Sequence, residues 1–194
     1  MNEATGSGRC RERELMRRYQ AIEEYLWPKG FTRDVWMIVD CARDQQRIFR
    51  FLLGCHLDYS CLYSGYLPPV LEMAAPYLVQ LEHDNQETRR LIELSWGHSW
   101  GVFLKSGTNL NKLRRHLREF LIVRDPRGQR MAFRYYDPRV LRVYLPTCVS
   151  QELETVFGPI DCFWTEEQRE QERMLEFKFK NGKLARKTLP LTAL

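Results

Sequence analysis

The chain has 194 residues, 44% hydrophobic and 28% charged, which suits one sizeable core and excludes a largely disordered protein. No apolar run approaches the roughly 20 residues that span a bilayer, and residues 1–18 hold no apolar stretch resembling a secretory signal, so a cytoplasmic, non-membrane protein is expected. The net charge of +5 is uneven: residues 105–142 carry eleven Lys and Arg against three acids, a balance of +8 that leaves −3 elsewhere and directs an acidic partner to that segment.

In chain order, the first eight residues read as a tail. Leu15, Tyr19, Ile22 and Leu26 recur at helical spacing, and Pro28 and Gly30 close that helix. Asp34 to Ala42 ("DVWMIVDCA") is a short apolar run that predicts a buried strand. Asp44 is placed to cap the helix that follows, ending near Gly54. A Tyr-, Ser-, Gly- and Pro-rich loop covers Asp58 to Pro69, and Ala74 to Glu82 predicts a second strand. Asp84 and Glu87 form a D-x-x-E capping pattern for a helix running through Trp96 toward "GHSWGVFL".

Asn109 or Thr108 opens another helix, whose Leu110, Leu113, Leu117 and Leu121 share a face while Lys112, Arg114, Arg115 and Arg118 point away from it. "DPRG" at 125–128 is a turn between "FLIVR" and "RMAFRYYD", the pattern of a β-hairpin. "DPRVLRVYL" reads as a short helix with Pro in its first turn, and "SQELETVFG" as another, capped by Ser150 and stopped by Gly158. "IDCFWTE" predicts a further strand, followed by a charged helix over "EEQREQERMLEF" and a Lys-rich tail ending "KTLPLTAL". These elements predict a mixed α/β (α+β) fold: a small sheet of about four to five strands packed with helices, plus N- and C-terminal satellite helices. The divisions are an N-terminal tail and helix (1–33), a core domain (34–166) and a charged C-terminal helix and tail (167–194).

"GHSWG", residues 97–101, matches the G-x-S-x-G nucleophile elbow of lipases and esterases. The elbow needs a strand before the Ser and then Asp/Glu and His in that order. Here the approach is helical, and no acid lies between Ser99 and His116, the last His in the chain. The stretch is better explained as packing: Trp96 and Trp100 along one helix face, Gly97 and Gly101 as a small-residue stripe, Ser99 as a small filler. Cys55, His56 and Cys61 have no matching second half for a zinc site, so buried reduced thiols are expected, with no metal and no cofactor. Asp40, Asp44, Glu82 and Asp84 lie near predicted strand ends, where acids serve as caps; a catalytic use for them is the weaker reading.

"FRYYDPRVL", residues 133–141, places Phe133 and Tyr135 on one side of a strand, Arg134 and Tyr136 on the other, and Asp137 as the cap of a helix beginning at Pro138. Arg139 can reach back to Asp137 or forward to a partner carboxylate. Arg134, Tyr136 and Arg139, with Arg114, Arg115 and Arg118, are the candidate partner-binding residues, Tyr and Arg being enriched at interface hot spots. Apolar patches are expected on the free chain at Tyr59 to Pro69 and at the C-terminal "LPLTAL".

"WGHSWGVFLKS", "LRRHLREFLIVRDPRGQRMAFRYYDPRVLRVYLP" and "LETVFGPIDCFW", with "VWMIVDCARD" and "APYLVQLE" upstream, together resemble the type VI secretion effector-chaperone (adaptor) family, catalogued as a domain of unknown function. The resemblance spans about Asp34 to Glu166. It implies a non-enzymatic cytoplasmic adaptor without cofactor. Such a protein binds one cognate effector, and the C-terminal region of a VgrG-type spike protein, through protein–protein contacts before secretion. The alternative is a nucleic-acid-binding protein using the basic 105–142 segment, although no helix-turn-helix, zinc-finger or RNP-type signature is present.

Overall fold

A computed structural model describes residues 4–30, 32–125, 127–167 and 172–191, with side chains from residue 13 onward. In chain order the elements are α1 (Ala4–Leu26), β1 (Asp34–Asp40), α2 (Gln45–Gly54), β2 (Tyr59–Cys61), α3 (Pro69–Glu72), β3 (Pro76–Leu81), α4 (Gln86–Ser95), β4 (Gly101–Ser106), α5 (Leu110–Arg118), β5 (Ile122–Arg124), β6 (Arg130–Ala132), α6 (Pro138–Tyr144), α7 (Ser150–Phe157), β7 (Ile160–Glu166), β8 (Arg173–Lys180) and β9 (Lys183–Pro190). Seven strands form one sheet in the order β2-β3-β1-β4-β7-β8-β9, and every neighbouring pair is antiparallel. The β5–β6 hairpin stands apart from it.

Helices cover both faces of the sheet. On one face α1, α2 and α4 bury Ile22, Leu26, Ile48, Leu52, Leu91 and Ile92 against Val35, Met37 and Val39 of β1. On the other, α5, α6 and α7 bury Leu113, Leu117, Leu141, Leu153 and Phe157 against Trp36 and Ile38 of the same strand. A strand buried on both sides needs an unbroken apolar run, which is why Val35 to Val39 contains no polar residue. Among the described residues no helix is long and apolar enough to cross a membrane.

Several expectations hold. Asp44 caps α2 by accepting from Arg47 N–H at 3.3 Å, Asn109 caps α5 by accepting from Lys112 N–H at 3.0 Å, and Gly158 ends α7 with φ +42°. Others are corrected. The helix through GHSWG stops at Ser95, and Gly101 to Ser106 forms the fully buried strand β4 next to β1. Helix α4 is capped by Asn85, which accepts from the N–H groups of Glu87 and Thr88, while Asp84 sits outside with φ +57° and Glu87 binds His56 instead. Val149 rather than Ser150 precedes α7, and Glu152 reaches back to its N–H at 2.8 Å.

The largest correction is at the C-terminus. The charged helix over 166–177 is absent from its described part: Glu166 ends β7 and Arg173 begins β8, while residues 168–171 lie outside the described residues. Strands β8 and β9 extend the sheet through a two-residue turn, Asn181 (φ +52°) and Gly182 (φ +74°), so the sheet has more strands than the four to five expected. The helix at the other terminus begins at Ala4, inside the expected tail.

Gly101 of β4 has no room for a side chain beside β1: a Cβ there would lie 1.9 Å from the Ile38 carbonyl oxygen, which is backbone and cannot swing aside. Gly101→Ala is expected to open this central ladder and lower stability by about 3 kcal/mol, or to prevent folding. Urea unfolding of the variant and of Gly54→Ala, where nothing lies within 4 Å, checks it; the second is expected to be neutral or slightly stabilising.

Candidate functional site

Three carboxylates are buried at one end of the sheet, and arginines surround them. Asp40, at the end of β1, is fully buried; its Oδ1 accepts from Ala42 N–H at 3.1 Å and faces Arg134 Nη2 at 3.6 Å, while Oδ2 has no hydrogen-bond partner among the described residues. Asp137, also buried, caps α6 by accepting from Arg139 N–H at 2.9 Å. The Arg139 guanidinium then folds back onto the same carboxylate, with Nε 3.0 Å from Oδ1 and Nη2 2.6 Å from Oδ2. Tyr136 is hydrogen-bonded to Tyr63 and Arg134, and Arg43 adds its charge to the field at both acids.

The segment Phe133 to Tyr136 is not the strand its alternation suggests. Strand β6 ends at Ala132, and Tyr135 and Tyr136 are both buried in a turn. Tyr135 donates its hydroxyl to Leu117 C=O at 2.6 Å, fixing the turn against α5. Tyr136 is therefore a packed positioning residue rather than an exposed contact. Arg134 and Arg139 differ: their side chains are 45% and 44% exposed, Arg139 held along one edge by Asp137 and Arg134 with one terminal nitrogen facing Asp40.

GHSWG belongs to the same end of the sheet. Trp96 leaves helical geometry, Gly97 and Ser99 take φ +83° and +54°, and the resulting turn points backbone N–H groups at Glu166, the last residue of β7. Gly97 N–H binds Oε2 at hydrogen-bond distance; Ser99 donates to Oε1 through both its N–H (2.9 Å) and its hydroxyl (3.0 Å). Successive N–H groups converging on one anion form a backbone nest. Arg142 Nη1 donates to the Glu166 backbone carbonyl at 2.6 Å. The order here is helix, turn, strand, the reverse of a nucleophile elbow, and the Ser99 hydroxyl is occupied by a carboxylate. Trp96 and Trp100 are buried but share no helix; Trp96 stacks on Phe103 and Arg47 lies over Trp100. Asp137 and Pro138 hold the structural place expected of them.

The basic face of α5 is only partly available. Arg114 Nε donates to Cys61 C=O at 2.8 Å and is half-buried, tying α5 to β2; Lys112 and Arg115 are exposed and Arg118 is half-buried. Arg114, Arg115, Arg118 and Asn111 line a shallow surface groove. The proposed apolar patches divide. Leu189 and Leu191 are buried, so "LPLTAL" is not an exposed tail in its described part; within Tyr59 to Pro69, Tyr59 and Tyr66 are exposed and Leu62 is buried, and Val70 and Leu71 just beyond that stretch are exposed too. Cys55, His56 and Cys61 do not converge: Cys55 bonds Leu52 C=O and His56 bonds Glu87. Burial raises all three of the Cys41, Cys55 and Cys61 thiols, as inert structural thiols require.

Asp40 and Asp137 respond to pH in opposite directions. Burial raises the Asp40 carboxyl above its ordinary value, and Arg134 only partly offsets this. At Asp137 burial also pushes upward, but hydrogen bonds from the Arg139 guanidinium and N–H outweigh it and hold the group below its ordinary value. The lowered Asp137 contributes stability that is complete above the unfolded-state value and lost as pH falls through the folded one; the raised Asp40 disfavours the native state once ionised. Asp137→Asn is expected to lower stability by about 1–2 kcal/mol near pH 7, with the deficit shrinking as pH falls through and below the ordinary carboxylate range. Asp40→Asn, which keeps an acceptor for Ala42 N–H, is expected to be neutral or stabilising near pH 7 (about 0–1 kcal/mol). Urea unfolding across that range checks both signs.

No curated protein and no solved structure matches the chain. A protein family does, over residues 35–155, a range that runs from β1 into α7 and contains the Asp40 and Asp137 corner, the GHSWG turn and the basic helix. The chain belongs to that family, the one described as a domain of unknown function, DUF4123.

Proposed function

We propose that this protein is an adaptor that binds a cognate type VI secretion effector and helps to load it onto a VgrG-type spike protein, without catalysis. The observation that carries the reading is the corner at Asp40 and Asp137. Two half-exposed guanidiniums lie against buried carboxylates: Arg139 is oriented by two hydrogen-bonded oxygens of Asp137, and Arg134 is ion-paired with Asp40. A pre-oriented Arg fork loses less entropy on meeting a partner carboxylate or carbonyl than a free one, and Arg is a typical interface hot spot. The resemblance of "FRYYDPRVL" and the surrounding segments to effector chaperones supplies the identity of the partners.

The distribution of cations favours a protein partner over a phosphate backbone. Arg114, Arg124, Arg134, Arg139 and Arg142 of the basic segment all make internal contacts, so the +8 balance is not presented as one continuous stripe. Arg115 and Arg118 remain to steer an acidic surface toward the corner, an effect on association rate more than on affinity.

Affinity capture of the tagged protein from its host's lysate, washed at about 0.5 M salt to screen surface charge, is expected to retain one large toxin-like protein or a spike protein. Reversing charge at Arg115 and Arg118 should slow association of that partner roughly tenfold and flatten its salt dependence. Arg134→Lys keeps the charge but loses the planar fork, and should speed dissociation roughly tenfold with little change in the thermal midpoint. Recovery of nucleic acid lost in the salt wash, or of no protein, overturns the adaptor reading.

A further inference from the structure

The two edges of the seven-stranded sheet are not alike. Edge strand β2 is three residues long. Its bonds to β3, marked by Gln80 N–H to Asp58 C=O and Leu62 N–H to Pro76 C=O, leave Tyr59 and Cys61 with outward backbone groups. Arg114 already occupies the Cys61 carbonyl. Among the described residues, that leaves Tyr59 and the Cys61 N–H as the open groups of a three-residue edge.

Edge strand β9 is eight residues long, and its phase is fixed from both ends. The two-residue turn at Asn181 and Gly182 makes Lys180 and Lys183 a hydrogen-bonded pair, and Leu191 N–H bonds Glu172 C=O at the far end. The inward-bonding residues are therefore Lys183, Ala185, Lys187 and Leu189. Leu184, Arg186, Thr188 and Pro190 turn their backbone groups outward. Pro190 confirms the phase, because its carbonyl accepts from the Tyr25 hydroxyl of α1 at 3.0 Å. Among the described residues nothing bonds the outward N–H and C=O groups of Leu184, Arg186 and Thr188.

Charge determines what can pair there. Strand β9 carries Lys183, Arg186 and Lys187 and no acid. Arg186 pairs across β8 with Phe177 and so stands on the α7 side of the sheet; Lys183 and Lys187 stand on the other side with Leu189. A second copy pairing through β9 would bring Lys and Arg against Lys and Arg, and like charges directly opposite destabilise a ladder. An acidic strand reverses that term at every position.

From these observations we infer that β9 is a docking edge for an extended acidic segment of a partner protein, which adds as an eighth strand by bonding to Leu184, Arg186 and Thr188. Acidic residues at neighbouring positions of that segment lie opposite Arg186 on one face and Lys187 on the other. The backbone bonds supply affinity that is independent of sequence, and the cations select the charge of the strand. This edge is separate from the arginine corner, and the inference does not rest on the adaptor reading.

The test uses the full chain and two acetylated octapeptides of valine and threonine, one with two central glutamates and one with two central lysines. Amide hydrogen exchange resolved by residue is read at millimolar peptide. The glutamate peptide is expected to slow exchange at Leu184, Arg186 and Thr188 roughly tenfold and the lysine peptide not at all. Arg186→Pro removes one outward N–H at an edge position that tolerates proline, and should abolish the protection while leaving the thermal midpoint unchanged. Arg186→Gln keeps the N–H and should retain part of it, which separates backbone pairing from charge. No slowing at these three amides, equal slowing by both peptides, protection confined to α5 or the arginine corner, or the same protection from raising the protein concentration alone would each overturn the inference.

Discussion

A carboxylate taken out of water must be given hydrogen-bond donors or neutralised, and three such groups at one end of this sheet determine how the chain around them runs. Asp40 ends β1, Glu166 ends β7 and Asp137 opens α6, so three separate elements deliver an acid to neighbouring positions. Leaving any of them without donors would cost several kcal/mol, on the order of what a whole domain retains as net stability. The loops answer that demand. The chain between α4 and β4 adopts two positive-φ residues, Gly97 and Ser99, to direct N–H groups onto Glu166. The segment after β6 gives up its extended geometry to bring Arg134 toward Asp40 and Arg139 onto Asp137.

This arrangement does more to position arginines than to stabilise the fold. Among the described residues the Asp40 carboxylate lacks a partner on one oxygen, and burial disfavours its ionised form, so an apolar residue of similar size would make a more stable core. What the ion pair supplies is direction. The Asp137 carboxylate holds the Arg139 fork from two sides, and its outer edge has few orientations left in solvent. Lysine could neutralise the same acids but would present a mobile point charge. A binding surface made of such groups is rigid where it meets the partner, and its cost has been met during folding.

Much of the fold can be read from residues whose roles are local. Asp44, Asn109 and Asp137 are followed by helices they cap, the apolar runs at β1, β3 and β7 are strands, and between β5 and β6 Asp125 accepts from the N–H groups of Arg127 and Gln129. The errors come where a strong local pattern met a tertiary constraint. Helical spacing continues past Ser95 in the sequence, but Glu166, 67 residues beyond Ser99, is what the turn is built around. Likewise the alternation of Phe133 to Tyr136 suggests a strand, yet Tyr135 is buried by a bond to α5. The missed hairpin is a different case. "EFKFKNGKL" holds alternating apolar residues on either side of Asn181-Gly182, a strong local hairpin signal; the acidic run ahead of it favoured a helix instead.

An all-antiparallel sheet with helices on both faces has nowhere to hide its edges, and this one treats them in opposite ways. At β2 the strand is short and Arg114 from α5 takes one of its outward carbonyls, so the same basic helix that steers partners also covers part of an edge. Its half-burial follows from that bond, which is why sequence alone overstated its availability. At β9, among the described residues, no helix side chain performs this service along the middle of the strand, and the burden falls on Lys183, Arg186 and Lys187. Charge can guard an edge against copies of itself, because every copy carries the same sign. It cannot guard the edge against a segment of opposite sign. Electrostatic protection is therefore selective by nature, and a strand left open behind cations is closed to its own kind while open to an acidic one.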